Sequence, residues 1–520
     1  MRGLLVLCAV LAGACLAERG PFTNQMAHSG TRYLARAARQ PVNWQPWGYD
    51  AFALASRLDR PVLLYVGNDA CHWCVETDRL IYTDPEIGSL INSLFVPVRV
   101  DRDERPDVAQ RYQAAVERLA GLRGWPLTVF LTSDGSPFFG GTYFPADDPL
   151  TGRGLKQLLP EIAKRYRDQR PFIVQQAAVV RQFMLTSGGE SRGVLRTSLI
   201  RDGIAGVARD LDEAVKAGMT GNSVTHVEAA SLLLTEYARS RDTMALMVAR
   251  RALDLMLDTA NVAAADDSPH LVRAALAGAL AKGWVVTGDA RYRDAGRALV
   301  RAFARELPDQ MALAGDAVFA DQQAFVVEHT MLAAAALGAP DDETRARAAL
   351  DVLLQRSYAH GWGVRHTVGR ASGQAQPGAS SPGLLQDQVQ VASACLAAHQ
   401  LSGDRGGRYL EIAIDLAAIL EQRYADPLGG YYDAVEPSPS GASGSTPVLE
   451  RTKHVFDDVL PGANAAAASF LARLSAVTQD PRYRRRAQAT LESFAGGITN
   501  AGIRGTTYFA AAREVQGTRD

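Results

Sequence analysis

The chain has 520 residues, and 55 Lys and Arg residues against 56 Asp and Glu residues leave a net charge of -1. This balance lacks the basic excess that is typical of proteins that bind nucleic acids or anionic membranes. Hydrophobic residues make up 47% and charged residues 21%, which excludes disorder as the main state. Five cysteines exclude a disulfide-dense scaffold. At roughly 150 residues per domain, the length predicts about two to four domains.

The N-terminus has the pattern of a secretory signal over residues 1–17: a positive start, an apolar core at 3–14 and small residues before a polar segment. We therefore expect a secreted or periplasmic protein. Cleavage after Ala17 fits the pattern, and cleavage after Ala14 would leave Cys15 as the first residue, with a lipid anchor as the alternative. An untargeted hydrophobic start is a further alternative. No interior run approaches the roughly 18 apolar residues of a membrane span, so no transmembrane segment is expected.

The composition changes near residue 190. Four of the six Trp residues and the two close-spaced Cys residues precede this point, whereas the later sequence is rich in Ala, Leu and Arg. Residues 187–195 contain a run of Ser and Gly that is typical of a linker. We therefore predict one domain at 24–186 and a second at 196–512.

The first domain alternates predicted strands and helices. Short apolar runs bounded by Pro or Gly predict the strands, and helical spacing of apolar residues predicts the helices. The alternation indicates an α/β domain. The predicted strands are 61–67, 94–100, 127–131 and 137–143, and the predicted helices are 51–58, 71–81 and 107–119.

The second domain contains an internal repeat of apolar helices joined by turns that carry Asp. An Asp in such a turn can cap the helix that follows. The repeat predicts an all-α domain of helical hairpins, and five or six hairpins can either close into a ring or extend as a solenoid. The segments 371–382 and 437–447 are predicted loops. The turn residues, spaced 47 to 76 residues apart, are Asp242, Asp289, Asp341, Asp404 and Asp480.

The sharpest motif is Cys71-His72-Trp73-Cys74, at the end of a predicted strand and the start of a helix. Two thiols separated by two residues can close a disulfide across one helical turn. Backbone N–H groups and the helix dipole stabilise a thiolate at Cys71, and His72 adds a cation when it is protonated. The motif predicts a redox dithiol in which Cys71 attacks and Cys74 resolves.

A static disulfide and a metal site are the alternatives for this motif. Structural zinc takes four protein ligands, and the only other cysteine certain in the exported chain is Cys395, on an apolar helix where we expect it to be buried. His329 and His399 also lie on predicted helices, where a core or surface position is expected rather than a ligand role. We therefore assign no metal ligand and no cofactor.

From about Ser29 to Pro145 the sequence resembles the thioredoxin-like domain of the spermatogenesis-associated protein family and its bacterial relatives, which join that domain to an α/α barrel. The motifs that carry the resemblance are Pro41–Trp44 with Trp47, Cys71–Cys74, Val100–Asp107, Gly124–Pro126 and Phe138–Pro145.

The resemblance implies a site and a fold. Pro126 is implied to be a cis-proline that faces the dithiol, with His72, Trp73 and Trp125 as the other supporting residues. The implied fold is a thioredoxin-like N-terminal domain followed by an (α/α)6 barrel-like domain of helical hairpins. A similar six-hairpin ring occurs in sugar epimerases and glycosidases.

Two functional hypotheses follow. The first is an exported thiol–disulfide oxidoreductase that acts on protein thiols or a redox partner protein through mixed disulfides, with the barrel as its substrate- or partner-binding module. It needs Cys71 to be partly exposed. The second is a carbohydrate- or peptide-binding barrel, like a degenerate sugar epimerase or glycosidase, in which the dithiol is structural.

Glycoside chemistry usually needs two carboxylates across the scissile bond. An acidic residue on a helix is nevertheless far more often a cap or part of a solvated face, so we assign none as catalytic. The candidates are Asp321, Glu328, Asp387, Asp457 and Asp458.

Overall fold

The protein is described here by a computed structural model. The structure describes residues 22–148, 154–218, 223–258, 269–312, 317–368, 383–402, 407–435 and 450–517. The predicted signal with Cys15, the two predicted loops and Asp404 lie outside these ranges. The chain divides into two compact units, which meet in sequence between Arg181 and Gln182. None of the helices in the described ranges has the length and apolar character needed to cross a bilayer.

The first unit is built on a mixed five-stranded sheet with the strand order β1-β3-β2-β4-β5. β2 runs parallel to β3 and antiparallel to β4. The three central strands are buried along their whole length, which explains their continuous apolar sequences. The strands are β1 (Gln45–Pro46), β2 (Val62–Gly67), β3 (Val96–Asp101), β4 (Leu127–Leu131) and β5 (Pro137–Gly141).

Helices cover this sheet and supply the crossover between its parallel strands. The three predicted helices are present within two residues of their expected bounds, whereas β1, α1, α4, α6 and α7 were not predicted. α4 nevertheless has a recognisable start, because Asp84 caps it and Pro85 is its first residue. The helices are α1 (Arg32–Arg36), α2 (Tyr49–Leu58), α3 (His72–Leu80), α4 (Pro85–Leu94), α5 (Pro106–Ala120), α6 (Leu155–Asp168) and α7 (Arg170–Thr186).

The second unit is a closed ring of helical hairpins. Six inner helices pack against their neighbours in order, and the last of them contacts the first, so the structure selects the ring over the solenoid. The inner helices are α9 (Val224–Ser240), α11 (Pro269–Thr287), α13 (Ala320–Ala336), α15 (Leu385–Ser402), α17 (Ala463–Thr478) and α19 (Thr506–Gln516). The outer helices are α8 (Thr197–Lys216), α10 (Thr243–Asp258), α12 (Ala290–Ala312), α14 (Pro340–Ser357), α16 (Arg408–Ile419) and α18 (Pro481–Glu492).

Most of the turn aspartates cap the following helix as predicted. Asp242, Asp289 and Asp480 each accept a hydrogen bond from a backbone N–H two residues further on, at 2.9, 3.0 and 2.9 Å. The prediction is wrong for Asp341. Because α14 begins at Pro340, Asp341 is its second residue rather than its cap.

Candidate functional site

Cys71 and Cys74 form a disulfide at the N-terminus of α3, with their Cα atoms 5.2 Å apart. Cys71 is the N-cap of this helix, and its Sγ accepts a hydrogen bond from the backbone N–H of Cys74 at 3.2 Å. A sulfur at the N-terminus of a helix lies near the positive end of the helix dipole, which favours negative charge there. The structure thus places Cys71 at the start of a helix, where the motif predicted it.

The disulfide itself is covered, although its surroundings are exposed. Cys71 is 2% exposed and Cys74 is fully buried. The expectation of a partly exposed Cys71 is therefore wrong for the disulfide form, because a capping sulfur turns inward toward the first helical N–H groups. Trp73 is 56% exposed, and its ring lies 5.5 Å from that of His72 and 5.7 Å from that of Tyr143. Aromatic groups thus form the accessible surface beside the disulfide.

Pro126 lies at the same edge of the sheet as the disulfide. The Trp125–Pro126 peptide bond is cis, in agreement with the conformation that the resemblance implied. Pro126 directly precedes β4, whose first residue Leu127 pairs with Val66 near the end of β2. The chain leaves β2 at that end and continues into the Cys71 turn, so the topology brings the proline and the dithiol to one edge.

A hydrogen-bonded chain connects this turn to the end of β3. Asn68 accepts from the backbone N–H of Cys71 at 3.0 Å and donates to Asp103 at 2.8 Å. The backbone N–H of Asp103 donates to the Asp101 carboxyl at 2.9 Å. Burial, together with the nearby Asp103 carboxylate, raises the pKa of Asp101 to about 7. A carboxyl group that titrates near neutral pH therefore lies next to the turn that holds the dithiol.

An ion pair is buried beneath α3. Arg99, in the middle of β3, donates two hydrogen bonds to Asp78 of α3, at 2.7 and 2.6 Å. The Arg99 guanidinium lies 4.1 Å from the centre of the Tyr33 ring and 5.1 Å from that of Tyr65. Paired charges inside an aromatic cluster thus fix the inner face of the dithiol helix.

The sequence analysis did not select Tyr33, Asp78, Arg99 or Asp101. Two signals were available. Arg99 interrupts an apolar strand, and a charge in a buried strand requires a partner. Asp78 follows Cys74 by four residues, which places both on one face of the helix. Tyr33 carried no local signal, because its position depends on how α1 packs against the sheet.

In the ring, Asp321, His366 and Asp387 offer ligand atoms that all lie within 4.8 Å of one another, a spacing that fits a cation. The hydrogen bonds indicate a structural role instead. One oxygen of Asp387 accepts from His366 Nδ1 at 2.8 Å and from the backbone N–H of Asp321, and the other accepts from the N–H of Leu384 at 2.7 Å. Both oxygens of Asp387 are therefore engaged, and this carboxylate fixes the first turn of α15.

Further charges on the inner helices are paired across the ring. Glu328 accepts from Arg473 at 3.1 Å, and Glu228 lies 2.9 Å from His329 Nε2. Burial lowers the pKa of His329, but the hydrogen bond with Glu228 and the adjacent carboxylates outweigh it, so the pKa lies above its ordinary value. Burial also lowers the pKa of Lys282. The arrangement of Glu328 and His329 is that of structural ion pairs.

Asp457 has a similar structural role. Its two carboxylate oxygens accept from the backbone N–H groups of Gly462 and Thr507, at 2.8 and 2.9 Å, and burial raises its pKa to about 7. Asp458 beside it is half-buried and forms its hydrogen bonds through the backbone. Cys395 is a free thiol that is fully buried. The acidic candidates therefore show no arrangement of two free carboxylates facing a common space within the described residues.

Fold and site together define a class of protein: a thioredoxin-like domain with a Cys-x-x-Cys disulfide at a helix N-terminus, joined in one chain to a ring of six α-hairpins. Residues 23–185 match the family model Thioredox_DsbH, described as "Protein of unknown function, DUF255". The resemblance drawn from the motifs is thereby confirmed for the first unit.

Curated relatives match about a third of the chain. Spermatogenesis-associated protein 20 of Homo sapiens is 37% identical over 170 residues, which cover 33% of this chain, and its namesake in Rattus norvegicus gives the same values. The match spans only 22% of the length of those relatives. Among solved structures, the unsaturated glucuronyl hydrolase of Bacillus sp. GL1 is similar with a TM-score of 0.48 and 16% identity, covering 62% of this chain and 96% of that one.

Proposed function

We propose that the protein is an exported thiol–disulfide oxidoreductase in which Cys71 is the sulfur that partners attack. The observation that carries the proposal is the placement of the Cys71 sulfur as the N-cap of α3, hydrogen-bonded to the N–H of Cys74 at 3.2 Å. A helix N-terminus lowers the pKa of a capping thiol, and a stabilised thiolate is both a better leaving group and more abundant at neutral pH.

The exchange proceeds through a mixed disulfide. A partner thiolate attacks Cys71, the bond between Cys71 and Cys74 breaks, and its electron pair remains on the Cys74 sulfur. A second thiolate of the partner then attacks the mixed disulfide and releases Cys71 as a thiolate. The partner dithiol has lost two electrons to become a disulfide, and the Cys71–Cys74 pair has gained them. The reverse sequence reduces a partner disulfide.

Access to Cys71 is the demanding step, because the disulfide form exposes only 2% of this residue. The exposed Trp73 ring offers a partner an apolar contact next to it, and local opening of this edge then admits the partner sulfur. We assign the helical ring the role of binding the partner or its substrate. Export rests on the signal pattern of residues 1–17.

The test is the reduction potential of the Cys71–Cys74 pair in the full-length chain, measured by equilibration with glutathione redox buffers. We expect a reversible couple above about -300 mV, since structural disulfides lie below that value. A Cys74→Ser variant should accumulate a mixed disulfide through Cys71, and a Cys395→Ser variant, which removes the buried thiol, should behave as the wild type. A dithiol that stays inert in every buffer would contradict the proposal.

Export has a separate test. The mass of the mature chain recovered from the producing cell's exported fraction distinguishes cleavage after Ala17 from cleavage before a lipidated Cys15. Recovery of the uncleaved chain from the cytoplasm alone would overturn export and leave the redox proposal standing.

A further inference from the structure

Tyr33 has a buried hydroxyl group without a hydrogen-bond partner in the described part of the chain. The residue lies on α1 and is 2% exposed. A buried hydroxyl usually has a partner, because leaving it unsatisfied costs stability. The neighbouring Tyr65 follows the rule, since its hydroxyl donates to the backbone carbonyl of Cys74 at 3.4 Å. The exception at Tyr33 therefore needs an explanation.

The Tyr33 hydroxyl lies close to the Cys74 sulfur. A Cβ atom built on Gly67 would lie 2.6 Å from the Tyr33 oxygen and 2.9 Å from Cys74 Sγ. Both atoms therefore border one small space, and it is open only because residue 67 has no side chain. Any larger residue at this position would separate the hydroxyl from the sulfur.

We propose that the Tyr33 hydroxyl donates a hydrogen bond to the Cys74 sulfur when the disulfide is reduced. This inference deepens the proposed function and rests on it. A disulfide sulfur is a weak acceptor, whereas a thiolate is a strong one, so the same donor stabilises the reduced form more than the oxidised form. The Tyr33 hydroxyl is unsatisfied in the disulfide form and satisfied in the dithiol form. This difference shifts the redox equilibrium toward reduction.

The electron pair released by exchange ends on the Cys74 sulfur, the atom that lies close to the Tyr33 hydroxyl. When a partner thiolate attacks Cys71, the sulfur–sulfur bond breaks and Cys74 leaves as a thiolate. Tyr33 keeps its own proton, because burial raises its pKa well above the ordinary value even though the Arg99 cation opposes this. The hydroxyl therefore acts as a hydrogen-bond donor to the leaving sulfur, and no proton is transferred.

The first test compares the reduction potentials of Tyr33→Phe and of the matched control Tyr65→Phe. Both remove a fully or nearly buried hydroxyl next to Cys74, but the Tyr65 hydroxyl contacts the carbonyl oxygen and not the sulfur. We expect Tyr33→Phe to favour the disulfide by about tenfold, which is about 30 mV more negative, and Tyr65→Phe to change the potential much less. An unchanged potential in Tyr33→Phe, or equal shifts in both variants, would overturn the inference.

The second test does not depend on redox turnover. In a Cys71→Ser background the Cys74 thiol titrates alone, and thiolate absorbance gives its pKa. We expect this pKa to rise by about one pH unit when Tyr33→Phe is added, because the thiolate loses a charge-assisted donor. An unchanged pKa would contradict the inference. If Tyr33→Phe raises the pKa of Cys74 but the wild-type disulfide is inert to exchange, the oxidoreductase proposal is refuted and the Tyr33 hydrogen bond is not.

Discussion

The dithiol edge of the first unit and the interior of the helical ring both contain buried polar groups, but they use them differently. Near the disulfide, Asp101 is held close to a second carboxylate and the Tyr33 hydroxyl is unsatisfied. In the ring, Glu328 meets Arg473 and Glu228 meets His329. Unsatisfied buried atoms occur in both regions, since Thr330 Oγ1 and Gln323 Oε1 on α13 also lack a hydrogen-bond partner among the described residues. What distinguishes the dithiol edge is that its unsatisfied hydroxyl lies beside a reactive bond.

This difference indicates which region of the chain carries the reactive site. Natural proteins tolerate local conflicts at functional sites and satisfy polar groups elsewhere. Within the described residues, the buried carboxylates of the ring accept backbone hydrogen bonds or form ion pairs, whereas the unsatisfied hydroxyl at the dithiol edge lies next to a bond that can react. Four experiments can break or sharpen this contrast.

The largest effect is expected from breaking the ion pair between Arg99 and Asp78 beneath the dithiol. Arg99→Met leaves the Asp78 carboxylate buried without its guanidinium, so we expect the first unit to lose about 3–5 kcal/mol of stability. Hydrogen exchange of the β2 and β3 amides in the full chain measures this loss. The expected loss comes from leaving one charge of the pair buried alone. A second change, Asp78→Leu, removes that charge and should therefore restore part of the stability. An Arg99→Met variant as stable as the wild type would show that the ion pair does not stabilise the first unit.

The outlines of both units could be predicted from the sequence, because strand runs such as 61–67 and capped turns such as Asp242 depend on local chemistry. The motif also located the dithiol. The surroundings of the dithiol could not be predicted, since Tyr33 and Arg99 reach Cys74 and Asp78 through tertiary packing. The sequence also did not decide between a ring and a solenoid, because closure depends on a tertiary contact between the first and last inner helices.

A pH-dependent effect is expected from Asp101. Its pKa is raised to about 7 by burial and by Asp103, so between about pH 4 and pH 7 the folded state holds a proton that the unfolded state has released. Stability is therefore lost as the pH rises through this window. Asp101→Asn keeps the shape without the charge, and we expect it to gain on the order of 2–4 kcal/mol relative to the wild type by pH 8. Urea unfolding at pH 4 and pH 8 measures the difference; equal gains at both values would show that the carboxyl does not titrate there.

A second pH-dependent effect, with the same sign but from a cationic group, is expected in the ring. The pKa of His329 is raised because the hydrogen bond and charge of Glu228 outweigh burial, so the pair stabilises the fold fully below about pH 6.5 and less as the pH rises through the folded pKa. His329→Gln should therefore cost about 1–2 kcal/mol at pH 5.5 and less at pH 9. Hydrogen exchange of the α13 amides reports this change. A cost that is independent of pH would mean that the pair is not ionic.

The smallest effect separates a capping aspartate from one that only resembles a cap. Asp242 accepts hydrogen bonds from the backbone N–H groups of Met244 and Ala245, at 2.9 and 3.4 Å, whereas Asp341 is the second residue of α14. Asp242→Ala should therefore lower the free energy of unfolding by about 1 kcal/mol, and Asp341→Ala by less, because it loses only an interaction with the helix dipole. Thermal unfolding of the two variants under identical conditions measures the difference. Equal losses would mean that the interaction with the helix dipole, and not the cap hydrogen bonds, accounts for the effect of the turn aspartates. The ring helices would then depend less on their caps than the dithiol helix does, whose cap is the reactive cysteine itself.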